Sequence, residues 1–175
     1  LGDSFSYDFY LITTNFQNLN LGNWFLLQDF DGDGDSDLMT QNENIAQGSY
    51  RAIKYYKNQN SILSLSAESI MTDEFEPVYS EYVSTPTFAD LNNDGNLDFF
   101  TGNAANGSIT FYENIGLIDS IPTFTYVTNF WEDISIIGGL SRDSRHGASA
   151  ITFIDLDGDG DMDLSWGDYF QQSLY

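Results

Sequence analysis

The chain has 175 residues, 41% hydrophobic and 16% aromatic, enough apolar material for a real core. Its formal charge is −22, from 27 acidic residues against five basic ones, which argues against nucleic acid or an anionic lipid surface as a partner, since both require a basic face. It contains no cysteine, which excludes a disulfide framework, a thiolate metal site and a cysteine nucleophile.

Taken in chain order, the sequence reads as strand after strand. Aromatic and β-branched residues cluster in short runs with polar punctuation every ten or so residues. Phe9-Tyr10-Leu11-Ile12-Thr13 is the first β-rich stretch, followed by Trp24-Phe25-Leu26-Leu27. An acidic loop intervenes, then Leu38-Met39-Thr40 and Ile53-Lys54-Tyr55-Tyr56-Lys57-Asn58. Ser61 to Met71 is the best helix candidate, although it lacks caps and its polar positions are serine-rich. The pattern then restarts: Ser84-Thr85-Pro86 as a turn, Thr87-Phe88-Ala89, a second acidic loop, Phe99-Phe100-Thr101-Gly102 and Ile109-Thr110-Phe111-Tyr112-Glu113-Asn114. After Phe124-Thr125-Tyr126-Val127-Thr128 it restarts again with Gly147-Ala148-Ser149, Ile151-Thr152-Phe153-Ile154, a third acidic loop and Leu164-Ser165-Trp166-Gly167. Ser173-Leu174-Tyr175 matches the beginning of the next strand. The acidic loops start 61 and 65 residues apart, a period that signals a repeat architecture. We divide the chain into repeats at 1–58, 59–114 and 115–175, the last incomplete. With about four strands each, they fit blades of a β-propeller. Trp24, Tyr56, Phe88, Tyr112 and Phe153 are expected in the core between blades.

The three acidic loops share one nine-residue frame: Asp29, Asp31, Asp33, Asp35 and Asp37; Asp90, Asn92, Asp94, Asn96 and Asp98; Asp155, Asp157, Asp159, Asp161 and Asp163. An oxygen-bearing residue occupies every odd position, and glycine occupies position six. Two unit charges about 4 Å apart repel by roughly 4 kcal/mol at an effective dielectric near 20. Loops one and three converge five carboxylates each, so they need a counter-ion or neutralised members. A hard, oxygen-seeking cation fits, calcium first. An EF-hand does not fit, because its twelfth position must be Glu with a helix behind it. Here that position is Thr40, Thr101 or Trp166, and an apolar strand follows. By analogy with related loops, side chains at positions one, three, five and nine bind the ion, with the carbonyl at position seven (Asp35, Asn96, Asp161). Three divalent ions would bring the charge from −22 to about −16, so the chain stays acidic when loaded.

An apolar residue, the Asp-x-Asp-Gly-Asp-Gly-Asp-x-Asp loop, a strand, a glycine and then Tyr-x-Asn together resemble the VCBS and FG-GAP repeats, which build the integrin alpha-subunit propeller and occur in many secreted bacterial surface proteins. The resemblance covers nearly the whole chain, as two full repeats and a third cut short. It implies calcium at blade edges, bound by the fifteen odd-position residues named above, in about three sites. It also implies a secreted or cell-surface location. Copy two carries Asn92 and Asn96 and is expected to bind more weakly. Copy one has Gln41 where copies two and three have Gly102 and Gly167. Propellers commonly have about four to eight blades, so a segment of a larger propeller, or several chains sharing a ring, is expected. Leu1 in place of an initiator Met fits a processed product or a piece of something longer.

Catalytic signals are thin. His146, the only histidine, sits in Ser141-Arg142-Asp143-Ser144-Arg145-His146-Gly147, which could contact an anion or act as a general base with Asp143. A surface loop whose cations balance the third acidic loop is the plainer reading. Asn106-Gly107-Ser108 fits a glycosylation acceptor on a turn. No apolar run approaches the ~20 residues of a membrane span. The expectation is therefore a non-enzymatic, calcium-stabilised binding or adhesion module that engages a protein or carbohydrate at a cell surface, or the remaining blades of a larger chain. The alternatives are part of a polysaccharide-degrading enzyme and a structural subunit of a surface filament.

Overall fold

The computed structural model describes residues 10–43, 51–80, 84–103, 106–135, 137, 138, 146, 147, 150–168, 173 and 174. It is all-β with antiparallel sheets. The first sheet runs β1 (Phe25–Gln28), β2 (Asp37–Gln41), β3 (Ile53–Gln59) and β4 (Ile62–Ala67), each strand beside the next. The second repeats this order with β5 (Thr87–Ala89), β6 (Asp98–Gly102), β7 (Ile109–Ile118) and β8 (Ile121–Thr128). A two-stranded ribbon, β9 (Ile137–Gly138) with β10 (His146–Gly147), precedes a third sheet of β11 (Ala150–Ile154), β12 (Asp163–Asp168) and β13 (Ser173–Leu174).

Two departures from the sequence reading stand out. Ser61 to Met71 is not a helix, because β4 occupies its centre and pairs with β3 from Ile62 opposite Gln59 to Ala67 opposite Tyr55. Asn60 and Ser61 both have positive φ, 55° and 67°, as a two-residue hairpin turn requires and a helix start forbids. Asp119 and Ser120 make the same turn between β7 and β8. Consequently each four-stranded sheet extends past residues 58 and 114, where the repeat boundaries were drawn. Second, residues 10–13 form no strand and their side chains are exposed; Phe9 lies outside the described residues.

The sheets are joined face to face by apolar clusters. In β2 and β6 successive side chains point to opposite faces, as a pleated strand demands. Met39 and Phe99 enter a cluster with Trp24, Phe30, Ile53, Tyr55, Phe88, Tyr112 and Phe124. This cluster fills the space between the first and second sheets. Phe100 faces the other way, with Ala89, Ile109 and Ile151, and Phe111, Trp131, Phe153 and Trp166 pack against them. The second sheet is therefore covered on both faces, and β6 is buried at all five positions. Ring contacts reinforce the stacking: Phe30 meets Phe88 edge-on with centroids 4.8 Å apart, and Phe100 meets Phe153 likewise at 4.8 Å. A third cluster, Leu38, Tyr56 and Leu63 with Leu19 and Leu21, covers the outer face of the first sheet. Trp24, Phe88 and Tyr112 are buried between the first two sheets as expected, Phe153 is half-buried between the second and third, and Tyr56 is buried on the outer face of the first sheet rather than between sheets. Backbone pairing also crosses between sheets, with Thr72 beside Phe124 and Thr85 beside Ala150. Among the described residues, no helix is long and apolar enough to cross a membrane.

Candidate metal centre

Each acidic loop is the connection of a β-hairpin, and all three close in one register. The residue before position one pairs with position nine: Gln28 with Asp37, Ala89 with Asp98 and Ile154 with Asp163. Glycine at position six has φ near +90° in every copy (Gly34, Gly95 and Gly160 at 92°, 91° and 96°), a backbone conformation that a Cβ disfavours. Position four, Gly32, Asn93 or Gly158, is also left-handed.

That winding turns backbone N–H groups inward onto the first carboxylate. Asp29 accepts from the N–H groups of Gly32 (2.8 Å) and Gly34 (2.9 Å), and Asp155 from those of Gly158 (2.7 Å) and Gly160 (3.1 Å). Asp90 accepts from Asp94 (3.1 Å) and Gly95 (3.0 Å). Position five accepts from the N–H of position seven: Asp33 from Asp35, Asp94 from Asn96 and Asp159 from Asp161. These bonds stabilise the charged form, and the N–H of Asp35 and of Asn96 holds Asp33 and Asp94 below the usual carboxylate range.

Position nine behaves differently. Asp37 and Asp98 are buried, 0% and 1% exposed. Desolvation raises Asp37 above the ordinary range and pushes Asp98 up to about 6. Each is gripped by the Asn of Tyr-x-Asn. The Asn58 N–H donates to Asp37 at 2.7 Å and the Asn114 N–H to Asp98 at 2.8 Å. The side-chain amides of the same residues donate to the carbonyls of position eight, Ser36 at 2.9 Å and Leu97 at 3.1 Å. The asparagine is thus a clasp between the third strand and the loop, which is a physical reason for its fixed place after the tyrosine. Asp163 is exposed and accepts from the Leu156 N–H at 3.0 Å.

Carboxylate oxygens converge in two of the copies. Those of Asp29, Asp31 and Asp37 lie within 4.8 Å of one another, and so do those of Asp155, Asp157 and Asp159. Acid-only, short-range oxygen sets of this kind suit a hard divalent cation. Copy two forms no three-carboxylate group among the described residues; its position three, which contributes to both groups in the other copies, is the amide Asn92. Asp33, Asp35, Asp161 and Asp163 are in neither group. The sequence reading missed two contributors around loop one, Tyr55 and Lys57. Tyr55 donates its hydroxyl to Asp37 at 2.9 Å, Lys57 donates to Asp31, and the Lys57 ammonium lies 3.3 Å from Asp33. Strand alternation could have found the pair, because Tyr55 and Lys57 are two residues apart and share a face. Gln41 is buried and donates to Ser80 Oγ (2.8 Å), whereas at Gly102 the backbone N–H binds Ser84 Oγ (3.1 Å).

Residues 141–145 and the His146 side chain lie outside what is described. Asn106-Gly107-Ser108 is a turn in which Asn106 accepts from the Ser108 N–H and hydroxyl. A family model described as FG-GAP-like repeat matches the chain over residues 29–101 and again over 90–166. Neither the curated proteins nor the solved structures contain a match to it.

Proposed function

Because the chain belongs to the FG-GAP-like repeat family, we propose that it is a calcium-stabilised module of a secreted or cell-surface protein, acting by binding or adhesion and not by catalysis. The observation that carries the reading is the convergence of Asp29, Asp31 and Asp37, and of Asp155, Asp157 and Asp159, inside hairpin loops of identical register. Calcium supplies the positive charge that these oxygens lack. In each loop the residues of positions one, three and five, with the buried carboxylate of position nine where it reaches, are the ones that would hold the ion. Their anchoring by backbone N–H groups fixes the loop shape before a cation arrives, which lowers the cost of ordering the site.

The role of the ion is structural. It ties the outgoing strand of each hairpin to the incoming one, and those strands carry Met39, Phe99 and Phe100 into the clusters between sheets. The three stacked sheets are read as successive propeller blades. Burial of the second sheet on both faces supports this, as does the four-strand meander order shared by the first two. A protein or carbohydrate at a cell surface, or further blades of a larger chain, is the proposed partner. Thermal unfolding tests the calcium role: a chelator should lower the melting temperature and excess calcium restore it. Superimposable melting curves with chelator and with calcium would sink the assignment.

A further inference from the structure

The side chain of Lys57 reaches across from β3 into loop one. Its ammonium donates to Asp31 and lies 3.3 Å from Asp33, and the Asp31 side chain beneath it is only 1% exposed. A carboxylate so removed from water needs a cation beside it. In the second sheet the same site, one residue before the clasping Asn114, is Glu113. Glu113 lines a cavity of about 310 Å³ together with Asn92 and Asp98 of loop two. One lysine therefore subtracts a charge from a five-carboxylate loop, and one glutamate adds a charge to a three-carboxylate loop. Both come to −4, and the charge difference that set copy two below copy one vanishes.

We propose that Lys57 is the resident counter-ion of loop one, a tethered competitor whose ammonium calcium must displace, so that loop one is the calcium site that fills last. The inference rests on the calcium reading above. Tethering keeps the ammonium at high effective concentration, and the apparent affinity falls by the fraction of loops whose oxygens remain paired to it. Among the described residues loop two has no such competitor, and Glu113 places a further oxygen donor beside its cavity. The chain would thus hold a graded set of sites, with loop one responding at higher calcium than its neighbours.

The two lysines of the chain, Lys54 and Lys57, make a direct readout possible. Calcium titration followed by calorimetry should show one weak site in the wild type that tightens by about tenfold or more in Lys57→Met. Glu113→Lys should weaken one site by a similar factor. With lysine-selective 15N labelling, the Lys57 side-chain signal should move during the weak phase of the titration while that of Lys54 stays in place. Lys57→Gln repeats the calorimetry should Lys57→Met fold poorly. Calcium that binds loop three, with that site lost in Asp157→Asn, combined with unchanged affinities in Lys57→Met and a stationary Lys57 signal, overturns this inference and leaves the calcium reading standing. Calcium that binds neither wild type nor Lys57→Met overturns both.

Discussion

The asparagine clasp offers the sharpest energetic test of how the loops are held. Asn114 is 2% exposed. Its amide donates to the Leu97 carbonyl at 3.1 Å, its Oδ1 accepts from the Gly116 N–H at 2.9 Å, and its backbone N–H donates to Asp98 at 2.8 Å. Asn114→Ala deletes the first two bonds and keeps the third. Each lost bond costs about 1 kcal/mol net, and the partly buried Leu97 carbonyl left without its donor adds about 1 more. The sum is about 2–3 kcal/mol, which for a chain of this size lowers Tm by roughly 5–10 °C. Urea unfolding in chelator, followed by tryptophan fluorescence, measures it without interference from metal. Asn114→Asp keeps the size but replaces the donor with an oxygen facing Leu97 and adds charge beside Asp98, so it should be at least as unstable as the alanine variant. An alanine variant within about 0.5 kcal/mol of wild type, the range of a neutral surface change, would refute the clasp.

Asp98 gives a pH dependence with a definite sign. Its folded pKa of about 6 lies above the unfolded value of about 3.9, so the folded state holds its proton more tightly. In chelator the resulting penalty is absent below pH ~4, grows between ~4 and ~6, and is complete above ~6, where it approaches about 3 kcal/mol. Asp98→Asn retains an acceptor for the Asn114 N–H, so in chelator it should exceed wild type in stability at pH 7 and lose that advantage at pH 4; a difference that does not vary with pH would contradict this. Phe100, fully buried between the second and third sheets, should cost about 3–5 kcal/mol as Phe100→Ala in chemical denaturation, and a loss below about 1 kcal/mol would mean that the cluster does not couple the sheets. In saturating calcium, Asp157→Ala should lower Tm more than Asn92→Ala; equal shifts would deny Asp157 its place among the ion's ligands.

Much of the fold was legible because three copies of one loop, each flanked by apolar runs, fix where hairpins turn. The run Leu38-Met39 and the run Phe99-Phe100 read as strands because both of their faces are covered, and the structure buries each of these four residues. β4 was legible in principle, because Leu63-Ser64-Leu65-Ser66-Ala67 alternates apolar and polar residues as a strand does; its burial is that of an edge strand, with Leu63 buried, Ala67 half-buried against the first cluster, and Ser64, Leu65 and Ser66 exposed. The deciding signal was Asn60-Ser61, whose left-handed turn is a property of the hairpin and not of the residues that follow. In the candidate site, the carboxylates were visible from their spacing alone. Lys57 and Glu113 were not, because they occupy the unspecified middle position of Tyr-x-Asn, and only strand pairing brings that position beside the loop. The burial that sets Asp37 and Asp98 apart from the exposed Asp33 and Asp94 is equally a product of the sheets around them.

Locating the ion itself tests the central claim most directly. Crystals grown in excess calcium, with diffraction data recorded for calcium's anomalous signal, should show a peak in loop three coordinated by Asp155, Asp157 and Asp159 at about 2.3–2.6 Å. A peak should also lie in loop two beside Asp90, Asp94 and Asp98, with loop one the least occupied. Loops that hold only water at saturating calcium, with Asp155, Asp157 and Asp159 turned out to solvent, would contradict the account.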